Sequence, residues 1–131
     1  MYVEFVNSKL PPPEAPAPPG LPAVYTNLFA GRGEVRVWSL LQAKSEPFTA
    51  ALSCELAPGG VVGRHMQQEF PELVLGIAGD GEVRVDGVPQ PFGPLSAVYL
   101  PLGATLEIVN RSASAPLRYL IVKARGASAT P

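Results

Sequence analysis

From residue 31 onward the apolar positions come in short runs, each soon broken by Gly, Pro or Asp. The runs predict strands over 34–41, 48–56, 63–67, 72–76, 81–85, 96–100, 105–110 and 117–124. The 48–56 run alternates. Phe48, Ala50, Leu52, Cys54 and Leu56 share one face, with Thr49, Ser53 and Glu55 on the other, so the first face is the expected core side and Cys54 points inward. Pro58-Gly59-Gly60, Gly79-Asp80-Gly81 and Asp86-Gly87 are turn signals between such runs. No segment sustains a 3.6-residue apolar period, so little helix is expected. Many short strands at regular spacing predict an all-β sandwich or barrel over residues 31–125.

The first thirty residues read differently. Seven of the sixteen prolines fall in PPPEAPAPPGLP, residues 11–22. Such a run disfavours helix and inner-strand pairing and favours extended chain. Residues 1–30 are therefore read as a proline-rich arm, with a short strand within residues 1–10 whose apolar part is Tyr2 to Val6. Two readings of the arm stay open: a disordered tail, or a strand that packs on a partner subunit. Residues 126–131 form a C-terminal tail.

Composition narrows the function classes. A chain of 131 residues suits one domain with its own core, and 47% hydrophobic with 16% charged residues is globular usage. The net charge is −1 and no basic cluster stands out, which argues against nucleic acid as a partner. No run approaches the ~20 apolar residues of a membrane span, so no membrane partner is expected. The N-terminus lacks a basic start and a long apolar stretch, so it does not read as a signal peptide. The single cysteine fits a reducing compartment, and a cytoplasmic location is expected.

The candidate chemistry concentrates between Gly59 and Gly79. This stretch holds the only histidine, His65, with Gln67 two residues on and Glu72 beyond a Phe70-Pro71 break. His-x-Gln places both side chains on one strand face. A neighbouring strand beginning at Glu72 would bring a carboxylate to the same interior point, which is the geometry of a metal site. A hydrogen-bonded polar cluster or a His65–Glu72 ion pair is the structural alternative. No phosphate loop, nucleophile elbow or paired-cysteine zinc motif is present. Cys54 reads as a small core residue. Trp38, Tyr99 and Tyr119 lie on expected strands with unassigned faces, and Arg64 should point away from His65.

These residues resemble the cupin superfamily. Its first motif has Gly, five residues, His-x-His, then Glu and Gly; Gly59, His65, Gln67, Glu72 and Gly79 fall on those positions, with Gln for the second His. Its second motif is matched by Gly93, Pro101, Gly103, Leu106 and Asn110, with Leu for the third His. The resemblance covers roughly residues 34–124. It implies a small double-stranded β-helix, jelly-roll-like barrel of two antiparallel sheets, and a homodimer. The matched glycines, Pro101 and Asn110 read as turn formers.

Metal-binding cupins usually use three His and one Glu, and two of those imidazoles are replaced here. The expectation is a barrel cavity that binds a small organic ligand, lined by His65, Gln67, Glu72, Cys54 and Leu106, without a tight metal. The alternative is a metal-dependent dioxygenase, isomerase or cyclase with His65, Gln67 and Glu72 as ligands. Any metal (zinc, iron, manganese or nickel) would then be a weakly held divalent ion. Metal-free acid–base catalysis by His65 and Glu72 is a further chemical option.

Overall fold

The computed structural model describes residues 18–43 and 45–126. The expected strand at residues 1–10, most of the proline run and all but the first residue of the C-terminal tail lie outside that range. Ten strands are described: β1 (Ala23–Thr26), β2 (Glu34–Ser39), β3 (Phe48–Leu56), β4 (Val61–Met66), β5 (Glu72–Ala78), β6 (Gly81–Val85), β7 (Val88–Phe92), β8 (Ala97–Leu100), β9 (Thr105–Asn110) and β10 (Leu117–Ala124). A 3-10 turn, Leu28–Ala30, is the one helical element among the described residues.

The strands form two antiparallel sheets facing each other. The larger has six strands in the order β1-β2-β3-β10-β5-β8, and the smaller has four in the order β4-β9-β6-β7. Alternation decides which side chains meet between them. Val35, Cys54, Leu56, Val74, Val98, Leu100, Leu117 and Tyr119 point in from the larger sheet, and Val62, Val83, Phe92, Leu106 and Ile108 from the smaller, forming one core. Phe92 meets Tyr119 edge-on across the gap, with ring centroids 6.2 Å apart.

Several strand expectations need correction. β1 lies inside the segment read as an arm. It pairs antiparallel with β2 of its own chain, from Ala23↔Val37 to Thr26↔Glu34, so the larger sheet begins ahead of residue 31. β7 was missed because Pro89 and Pro91 argue against a strand. It is an edge strand pairing only with β6, where a missing N–H leaves no ladder bond unmade. Phe48 is expected on the core face, but the pairing of β3 with β10 slips by one residue between Lys123↔Ala50 and Ala124↔Phe48, which breaks the alternation, and Phe48 is 47% exposed. β5, expected to begin at Glu72 as a neighbour of β4, does not pair with it. They belong to opposite sheets, and the chain crosses between layers at residues 67–71. Asn110, read as a turn former, is a buried hub. Its Nδ2 donates to the carbonyls of Leu56 (3.1 Å), Ala57 (3.0 Å) and Ala115 (2.9 Å), and its Oδ1 accepts from the Ser112 N–H (2.9 Å). Among the described residues no helix is long and apolar enough to cross a membrane.

Candidate functional site

The space between the sheets opens at one end into a cavity of about 510 Å³. All five residues expected to contact a ligand (His65, Gln67, Glu72, Cys54 and Leu106) line it. They reach it by different routes. β4 pairs with β9 through Val62↔Ile108 and His65↔Leu106, with a register shift between the two pairs. Three steps along β4 match two along β9, so an extra residue is taken up and both Val62 and His65 face inward. Arg64 accordingly faces solvent. Gln67 follows the last residue of β4. Its N–H donates to Ala104 O at 3.0 Å and its carbonyl accepts from Gly103 N–H at 2.9 Å. Glu72 opens β5 in the opposite sheet, between Leu100 of β8 and Lys123 of β10.

His65 is held from two sides. Its Nδ1 lies 2.9 Å from Gly63 O, and Phe29 stacks on its ring with centroids 4.2 Å apart and planes 13° off parallel. Burial pushes the imidazole below its ordinary pKa of 6.5 and the nearby Lys123 adds to this, while the Gly63 carbonyl opposes it. The neutral form therefore holds at pH 7. The expected cluster of three mutually bonded polar side chains is absent among the described residues. The charged neighbour of Glu72 is Lys123, whose Nζ lies 3.9 Å from Oε2. Burial raises the Glu72 pKa and Lys123 lowers it in part. Such a carboxylate opposes folding once ionised. Its native pKa exceeds its ordinary 4.5, so the native state binds a proton more readily and stability falls as pH rises through that window. Glu72→Gln should accordingly be more stable than the parent near neutral pH, and the gain should vanish below pH 4.5 in a pH series of denaturant midpoints.

Cys54 faces inward as expected, paired opposite Tyr119 of β10 and Val37 of β2. It is 2% exposed, and burial, with Glu72 adding, pushes its thiol up to about 12. A maleimide reagent should leave Cys54 untouched in the native protein and label it fully in denaturant, because only a thiolate in contact with solvent attacks; rapid native labelling would contradict its placement.

The sequence reading missed Phe29 and Lys123. Lys123 was legible in principle, since Leu117, Tyr119, Ile121 and Lys123 share one phase of β10. Phe29 carried no such signal, because it comes from the 3-10 turn ahead of β2. Tyr119 lines the cavity. Trp38 is buried elsewhere and donates from Nε1 to Gly20 O at 3.2 Å, and Tyr99 is 64% exposed on the outer face.

The donor set does not fit a metal cage of three imidazoles and a carboxylate. Among the described residues no three His, Cys, Asp or Glu side chains are grouped so as to hold a metal ion. Leu106, directly opposite His65, is fully buried and offers no donor atom.

The two facing sheets with a cavity at one mouth define a small β-barrel of the jelly-roll kind. Its solved likenesses are cupins, and the cupin fold is the fold of this chain. A predicted oxalate decarboxylase from Thermotoga maritima superposes with a TM-score of 0.75 at 23% identity, over 81% of this chain and 93% of that one. The Cupin_2 domain of an XRE family transcriptional regulator from Enterobacter cloacae gives 0.62 at 22% identity, over 71% and 98%. A cupin 2 conserved barrel domain protein from Salinispora arenicola gives 0.57 at 29% identity, over 67% and 74%. No family model and no curated protein matches the sequence. One neighbour is described as a decarboxylase and another belongs to a regulator, so the fold selects no activity by itself.

Proposed function

We propose that this chain binds a small organic molecule in its barrel cavity without a tightly held metal. The observation that carries the reading is the cavity wall itself. An opening of about 510 Å³ is lined by Val35, Val37, Leu52, Val62, Ile108 and Ile121, with Gln67 and Glu72 among its polar lining. That volume lies within the roughly 300–1,000 Å³ of small-molecule pockets, and an apolar wall with few polar groups is their usual lining. The donor set argues in the same direction, since His65 and Glu72 stand without a third strong ligand. Metal analysis of protein purified without chelator tests this. The expected result is a substoichiometric first-row metal content, unchanged in His65→Ala. A stoichiometric zinc, iron, manganese or nickel content lost in His65→Ala and Glu72→Gln would overturn it.

The proposal includes self-association as a homodimer in the cytoplasm. Leu73 and Tyr99, side by side across β5 and β8, and Ile77 expose apolar surface on the outer face of the larger sheet, which supports a second copy covering it. Sedimentation velocity should show a dimer that Tyr99→Arg dissociates; a monomeric parent would contradict this part.

A further inference from the structure

Two polar side chains in the cavity are buried without a hydrogen bond to any described residue. Gln67 is 6% exposed and Glu72 is 3% exposed. The backbone of Gln67 is fully bonded, which fixes the residue and leaves its amide group free. Thr49 Oγ1 is the one fully enclosed side-chain polar atom lacking a partner among the described residues. The Gln67 amide and the Glu72 carboxylate therefore keep an open edge, and that edge faces the cavity they line. Buried polar groups left unpaired are costly, so such an edge calls for water or a ligand to bond it.

The charges at this end restrict what that ligand is. Lys123 Nζ, 3.9 Å from Glu72 Oε2, already offsets the one buried carboxylate. His65 is already engaged, its Nδ1 by Gly63 O at 2.9 Å and its ring by Phe29. A ligand carrying a full charge would lose its hydration at this buried end, where the further charged group lining the cavity, Glu69, is itself exposed to solvent. A neutral head escapes that cost. The Gln67 amide offers two donors and an acceptor, and the Glu72 carboxylate offers acceptors only, so a head that both donates and accepts satisfies the two together.

We infer that the occupant is an uncharged molecule with an apolar body lying against Leu52, Ile108 and Ile121 and an amide-like head bonded to Gln67 and Glu72. This rests on the cavity being a ligand site, and the test separates the two. Benzamide, benzoate, benzylamine and toluene share one ring and differ at the head. Each is titrated into the full chain and followed by NMR. Benzamide should bind tightest. Gln67→Met, similar in shape but apolar, should weaken benzamide by up to about tenfold, the worth of one neutral hydrogen bond, and leave toluene unchanged. Glu72→Gln, which keeps shape and folding, should weaken benzamide more than toluene. Tightest binding by benzoate, benzylamine or toluene overturns the head-group assignment and leaves the ligand site standing. Binding of none of the four, toluene included, overturns the ligand site and the inference together.

Discussion

Asn110→Ala should cost the fold about 4 kcal/mol, at roughly 1 kcal/mol for each of the four hydrogen bonds lost. The side chain is 3% exposed and ties together three segments: the end of β3 through Leu56 and Ala57, the loop before β10 through Ala115, and its own following turn through Ser112. Alanine leaves the Ser112 N–H without its Asn110 partner and removes one donor from each of three carbonyls, of which Ala57 O keeps the Gly60 N–H at 2.9 Å. The measurement is the denaturant midpoint at constant slope, which reports stability alone. Asn110→Asp sharpens the test. Aspartate keeps the acceptor for Ser112 but turns a carboxylate oxygen toward three carbonyl oxygens, so it should be at least as damaging as alanine. Full stability in Asn110→Asp would show that the three donated bonds contribute nothing.

The second large effect is expected at Gly63→Ala. A methyl group there would overlap the Phe29 carbonyl oxygen and press on Gly31 N at 2.9 Å, while one at Gly31 would overlap Val61 O and press on Gly63 N at 2.7 Å. The contact is backbone against backbone, so no side chain can swing aside. The turn must lift, which the cost of overpacking puts at roughly 2–3 kcal/mol. Its conformation is already demanding, because Asn27, Phe29 and Ala30 all hold positive φ (54°, 54° and 60°). Lifting the turn removes Phe29 from His65, so the variant should combine a lower melting temperature with a shift of the His65 ring resonances away from their stacked values. Unshifted His65 resonances would mean that Phe29 does not hold the ring.

The two positions also show what a sequence can reveal. Alternation placed Cys54, Leu52 and Leu56 correctly, because β3 is an inner strand with one face against the core. The cupin motif spacing located His65, Gln67, Glu72, Leu106 and Asn110, and all but Asn110 line the cavity. Asn110's role escaped because hydrogen bonds to residues 53 and 54 positions away leave no local pattern. β7 escaped because its prolines are tolerated only at a sheet edge, and edge position is a property of the whole sheet. Phe29 and Gly63 escaped together. Their contact joins the turn before β2 to a bulge in β4, and a bulge is a pairing feature that one strand alone does not announce. Lys123 could have been found from the phase of β10, but its meeting with Glu72 depends on β10 lying beside β5.

An organic-ligand cavity, as proposed, and a metal cage respond differently to the two kinds of ligand. The most direct measurement follows the NMR resonances of His65, Tyr119 and Ile121 while benzamide and zinc are titrated into separate samples of the full chain. Saturable shifts of all three with benzamide, and none with equimolar zinc, are the predicted result. Stoichiometric shifts of His65 with zinc, and none of the three with benzamide, would contradict it.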